Sequence, residues 1–183
     1  IWTGLIGAFI AAVVVVIKKE LAPYVSPVYA ILEGLALGGI SVMVDSYLPG
    51  VVFNAICLTF LVTTIMLVLY RFRVIQATRR FKSVIFIATI SIGLFYLGSF
   101  ILSFFGVYSP LYSSGLLGIG ISVVIIIIAA LNLIIDFDFI EQGAAYNAPK
   151  FMEWYGAFGF MLTLVWLYIE ILILLVKIAA SSR

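Results

Sequence analysis

The chain reads as long apolar stretches separated by short polar ones. The apolar runs cover Ile1 to Ile17, Val28 to Tyr47, Val51 to Tyr70, Ser83 to Val107, Gly115 to Asp136 and Met152 to Lys177. About 20 residues at 1.5 Å rise cross roughly 30 Å of hydrocarbon, so the pattern predicts six transmembrane elements. A spanning β-strand would alternate apolar and polar residues, whereas Val123 to Ala130 reads VVIIIIAA. All six are therefore expected to be helices. The breaks carry helix stops: Pro23 and Pro27 in Lys18 to Pro27, a Leu-Pro-Gly turn at Leu48 to Gly50, and Pro110 among serines in Val107 to Ser114. With no fixed-period repeat and no linker, the expected fold is an all-α polytopic membrane helix bundle, one domain over residues 1–183.

Composition points the same way. Hydrophobic residues make up 66% of the 183 and charged residues 10%, against about 45 to 50% and 25% in an ordinary soluble domain. Ten Lys/Arg and eight Asp/Glu cannot cover a soluble core of this size, so the lipid bilayer is the expected environment. A net charge of +2 is too small for a nucleic-acid footprint. Cys57 is the only cysteine and there is no histidine, which excludes an intrachain disulfide and a Cys/His metal cluster. Cys57, in an apolar run, is expected to be a small buried hydrophobe.

Basic residues set the expected orientation. Lys18, Lys19, Arg71, Arg73, Arg79, Arg80, Lys82 and Lys150 fall in loops on one side, and Lys177 and Arg183 on the other. Eight against two places the first group in the cytoplasm and both chain ends outside. Tyr24, Tyr29, Tyr47, Tyr70, Tyr108, Tyr112, Trp154 and Tyr155 lie near span ends, as an aromatic belt would. Ile1 opens a short run with no charged lead-in or cleavage site, which suggests that residues upstream, including another span, precede this numbering.

Three acids fall inside apolar runs: Glu33 in AILEGLALGG, Asp136 in ALNLIIDFDFIEQG and Glu170 in LVWLYIEILILL. An ionisable group at mid-bilayer costs on the order of 2.5 to 3.5 kcal/mol. With no Lys or Arg deep in a span, the sequence leaves three ways of accommodating them: protonation, a proton shared between carboxyls, or a bound cation. Each makes the site pH-dependent, and without histidine any response near neutral pH falls to these carboxyls. Oxygen ligands alone suit Ca²⁺ or protons rather than transition metals. Asp138 and Glu141, at i and i+3, are expected at headgroup level with Asp136 pointing the opposite way. Asp45 and Glu153 stand at span ends, and Glu20 in a solvated loop. Gly34 and Gly38 form GxxxG, a pattern that permits close helix packing, and Glu33 beside them can be read as a polar contact at that interface. No catalytic triad, phosphate loop or dinucleotide motif occurs, and the YD and GxGD motifs of membrane aspartyl proteases are absent. No enzymatic activity is expected.

LNLIIDFDFIEQG, APKFMEWYGAFG, LVWLYIEILILL and YAILEGLALGGIS together resemble the Bax inhibitor-like (transmembrane Bax inhibitor motif) family, in its bacterial branch, over nearly the whole chain. The resemblance implies a seven-helix membrane bundle with a cytoplasmic N-terminus, of which this chain would lack the first helix, in a bacterial cytoplasmic (inner) membrane. It also implies a pH-sensitive Ca²⁺ leak controlled by an acid pair on the last two helices. By motif position the pair is Asp136 and Glu170, which would share a proton in a closed state and carry Ca²⁺ ligation. Better-known members have an aspartate at the second position. Glu33 would stand in for an acid that some members carry one helix earlier, and Lys18 or Lys19 would touch the pair. Glu170 follows Met152 by 18 residues, about 27 Å of helix. Pairing would thus need the sixth helix to start late, near Gly156 or Gly159, or the fifth to continue toward Gln142. The alternative is a non-conducting scaffold, accessory subunit or regulator of a membrane protease, with an unidentified membrane-protein partner.

Overall fold

A computed structural model of the chain describes residues 2–106 and 115–181. All regular structure among them is helical: α1 (Trp2–Ile17), a 3-10 turn (Lys19–Leu21), α2 (Ala22–Tyr47), α3 (Val51–Arg71), α4 (Arg79–Phe104), α5 (Leu116–Ala145) and α6 (Phe151–Ser181). Five are long and apolar enough to span a bilayer. The exception, α1, has 16 residues and a length of about 24 Å, short of the hydrocarbon layer. The helical membrane bundle expected from the hydrophobic pattern is what the chain forms.

The helix limits differ from the apolar runs at specific places. Pro23 and Pro27 do not stop a helix; both lie within α2, which begins at Ala22. Pro23 occupies the first turn, where the missing N–H has no helical acceptor to lose. α4 begins four residues ahead of Ser83, because Thr78 caps it by accepting the Phe81 N–H at 3.2 Å. α5 continues nine residues past Asp136, through Gln142 to Ala145, as one route to acid pairing requires. α6 starts at Phe151 rather than late. The Leu48 to Gly50 turn forms as expected: Gly50 takes φ +83° and donates its N–H to Asp45 Oδ1 at 3.0 Å. The expected Val107 to Ser114 loop lies outside the described residues.

The chain divides into two compact units. One comprises Ile1–Val52 and Asp136–Leu162, the other Phe53–Ile135 and Thr163–Arg183. In the first, α1 packs on α2 through small residues. Ala8, Ala11, Val15, Ala22, Tyr29 and Phe158 form its buried cluster, with the Tyr29 and Phe158 rings edge to face at 5.0 Å. Tyr29 is thus a core residue rather than part of an aromatic belt. The close approach expected at Gly34 and Gly38 occurs instead at Gly4, where a Cβ would stand 2.9 Å from the Leu32 carbonyl oxygen and 3.2 Å from Ala36 Cβ. A Cβ on Gly34 or Gly38 would meet nothing within 4 Å. Gly4→Ala is therefore expected to cost about 1 to 3 kcal/mol by overpacking, whereas Gly34→Ala gains up to about 1 kcal/mol of helix propensity. Unfolding in mixed micelles checks both signs.

In the second unit, hydroxyls and amides are satisfied locally, as a hydrocarbon environment demands. Thr59 Oγ1 donates to the Ala55 carbonyl at 2.7 Å, and Thr63 Oγ1 to that of Thr59 at 2.7 Å. Asn132 Nδ2 on α5 donates to Thr89 Oγ1 on α4 and to its own helix at Ile128 O, both at 2.9 Å. Cys57 is exposed on α3, not buried: lipid and core are equally apolar, so an apolar run does not say which of them a side chain faces.

Candidate functional site

Glu170 lies in the second unit, two-thirds of the way along α6. Ile169 and Ile171 flank it, and the side chain is only 2% exposed. Its two oxygens differ. Oε1 accepts a hydrogen bond from the Tyr96 hydroxyl of α4 at 2.5 Å and another from Trp166 Nε1, one helical turn earlier, at 3.1 Å. Oε2 is buried and has no hydrogen-bond partner among the described residues. A carboxylate with one oxygen fixed by two donors and the other left open is held in a set orientation while keeping a position for a proton or a cation.

Lys177 is the main departure from expectation here. The sequence places it at the polar end of the last span, yet it is 8% exposed. Its Nζ donates to Ser122 Oγ at 2.7 Å and to the Gly118 carbonyl at 3.1 Å, both in the first two turns of α5. Seven residues separate it from Glu170, about 10.5 Å along one face of the helix. A basic side chain is therefore buried two helical turns from an intramembrane acid. Helical spacing could have revealed Trp166 and Lys177, at i−4 and i+7 from Glu170. Tyr96 and Ser122 come from other helices, and nothing local in the sequence marks them.

The other acids lie in the first unit. Asp136 stands opposite Gly159 of α6, with Oδ1 3.9 Å from where a Cβ there would be; the glycine leaves room for the carboxylate. About one turn nearer the α5–α6 connection, Gly156 meets Ile140, whose Cγ1 would lie 3.1 Å from an added Cβ, and Phe139 packs on Tyr155 at 6.0 Å. Asp138 accepts from Gln142 Nε2 at 2.6 Å, and Glu141 is exposed. Glu33 is half-buried on α2. Lys18 is exposed, and the Lys19 ammonium lies 5.0 Å over the Tyr155 ring, a cation–π contact. Asp136 and Glu170 thus belong to different units.

Among the described residues no cluster of three or more acidic, histidine or cysteine side chains is placed to hold a metal ion. A groove of about 750 Å³ between α4 and α5, lined by Ile92, Phe95, Leu117, Ile121, Val124 and others, is apolar, and no acid lines it. Its chemistry suits a hydrocarbon chain rather than an ion.

Comparisons with curated proteins and with solved structures returned no match. The family model described as Bax inhibitor 1 like matches residues 1–180, in agreement with the motifs around Asp136 and Glu170, and this integral membrane protein belongs to the Bax inhibitor 1-like family.

Proposed function

We propose that the protein is an ion-permeable bundle that leaks Ca²⁺ across a bacterial cytoplasmic membrane, with its basic loops facing the cytoplasm, and that protonation of intramembrane acids closes it. The observation that carries this reading is Glu170, a carboxyl buried in an apolar helix with one oxygen left open. The protonated side chain is neutral and compatible with a closed, lipid-like interior. Once the proton leaves, a negative charge in low dielectric favours any state that admits water or a cation. Moving such an equilibrium from mostly closed to mostly open takes roughly 5.5 kcal/mol of differential stabilisation, and two titrating acids divide that requirement. Asp136 is the second acid, and the family resemblance supports its role. Ca²⁺ is cargo in this scheme, with no resident cofactor and no chemical transformation.

The test is Ca²⁺ flux into liposomes at about pH 5 to 8. Wild-type flux is expected to rise with pH. Glu170→Gln and Asp136→Asn should each flatten that rise, and a double variant no worse than either single one would show the two acids acting as a unit. Unchanged pH dependence in both single variants would reject the mechanism. A second reading draws on Lys177, whose buried ammonium two turns from Glu170 makes the acid part of a structural polar core in a non-conducting scaffold or regulator. That reading requires zero flux at every pH and a membrane-protein partner that co-purifies stably.

A further inference from the structure

We infer that Lys177 is a tethered counter-cation, whose ammonium, pinned at the first turns of α5, keeps divalent ions from settling at the open oxygen of Glu170. The inference takes up the reading of Glu170 as the acid of an ion-permeable bundle and assigns that acid's cation preference. Three helices of one unit meet here. From α4 comes Tyr96, a donor to Oε1; from α6 itself come Trp166, a second donor, and Lys177; from α5 come Ser122 and the Gly118 carbonyl, which receive the ammonium. Glu170 is the only acid in this set. Glu170 and Lys177 carry opposite charges two helical turns apart, so a monovalent ion at Oε2 leaves the pair with one net positive charge, whereas Ca²⁺ leaves it with two. In a region without water to screen them, the second charge is strongly disfavoured.

The anchor is specific to its place in the fold. Ser122 is 1% exposed and its hydroxyl oxygen is free to accept because the ammonium supplies the proton. The side chain of Lys177, four residues from the end of α6, could otherwise extend toward the interface, as lysines near helix ends do. Instead it turns inward to two oxygen acceptors. The ammonium thereby supplies from within the chain the positive charge that a bound ion would supply, and Ca²⁺ passes without a deep resting place at Glu170, as rapid permeation requires.

The experiment uses Tb³⁺, a hard trivalent ion of Ca²⁺-like ligand preference, with protein in lipid nanodiscs. Trp166, bonded to Glu170, serves as the excitation donor, so ion bound at Oε2 reports itself by sensitised luminescence. Wild type is expected to give weak signal. Lys177→Met should bind Tb³⁺ at least roughly tenfold tighter, with the luminescence excited through indole reduced in the Lys177→Met/Trp166→Phe double variant, where Tyr96 remains as a donor, and the binding lost in Lys177→Met/Glu170→Gln. Lys177→Arg, which keeps the charge, should behave as wild type. Ser122→Ala, which loosens the anchor without removing the charge, should move in the same direction as Lys177→Met by a smaller factor and covers the case in which that variant does not fold. A Lys177→Met protein that binds as wild type does, a gain that survives loss of Glu170, or an equal gain in Lys177→Arg would overturn the assignment. Absence of Ca²⁺ flux in liposomes would remove the leak but leave the luminescence gain standing. Intact flux with no gain would remove only the role of Lys177.

Discussion

Glu170→Leu is expected to destabilise the protein by about 3 to 5 kcal/mol, and adding Lys177→Met is expected to recover only the part owed to the stranded ammonium. The leucine fits an apolar helix, so the cost comes from what it leaves behind. The Tyr96 hydroxyl and the Trp166 indole each lose an acceptor, and the Lys177 ammonium stays buried without its opposing charge. A buried donor or charge left without its partner is costly for that reason, and the second substitution removes the charge but leaves the two donors without an acceptor. The second substitution leaves Ser122 able to donate to its own helix. A double-mutant cycle read by unfolding in mixed micelles checks this. Two additive losses would mean that the charges do not act together, and the coupling described here would be wrong.

Phe158→Ala is expected to cost about 3 kcal/mol, near the low end for an emptied aromatic site. Phe158 is 2% exposed and packs edge to face on Tyr29 among Ala8, Ala11, Val15 and Ala22. In a bilayer the transfer of the ring from solvent contributes little, because lipid is as apolar as the core. The loss is therefore dispersion contact and cavity rather than hydrophobic burial. Phe104, 75% exposed at the end of α4, provides the comparison. Its replacement by alanine should stay within about 0.5 kcal/mol in the same unfolding assay. An equal effect at both positions would show that the small-residue cluster does not hold the first unit together.

The helices were legible because run length and turn chemistry speak directly about crossing a bilayer. Asp45 and Gly50 at the α2–α3 turn illustrate this, as do the three acids, whose mere presence in apolar runs singled them out. Sidedness within each helix was not legible. In a soluble protein the polar face identifies the core by contrast, but here Gly34 and Gly38, which face open space, look like better packing residues than Gly4, which makes the close approach. The same blindness put Cys57 inside and Tyr29 at the interface. Lys177 was misread for a different reason. A lysine near a helix end ordinarily reaches for water, and only the three-dimensional placement of Ser122 and the Gly118 carbonyl turns it inward. Tyr96 was missed because its link to Glu170 spans 74 residues, a separation over which a single sequence carries no signal.

The nine residues by which α5 outruns Asp136 give the surrounding lipid a role. A helix of 30 residues is about 45 Å long, half as long again as the hydrocarbon it crosses. The excess is taken up by tilting or by lifting the segment with Asp138, Glu141 and Gln142 into the headgroups, and acyl-chain length sets the division between the two. Bilayer thickness is therefore a mechanical input to the helix that carries Asp136, and a thinner membrane and a thicker one would hold that acid at different depths.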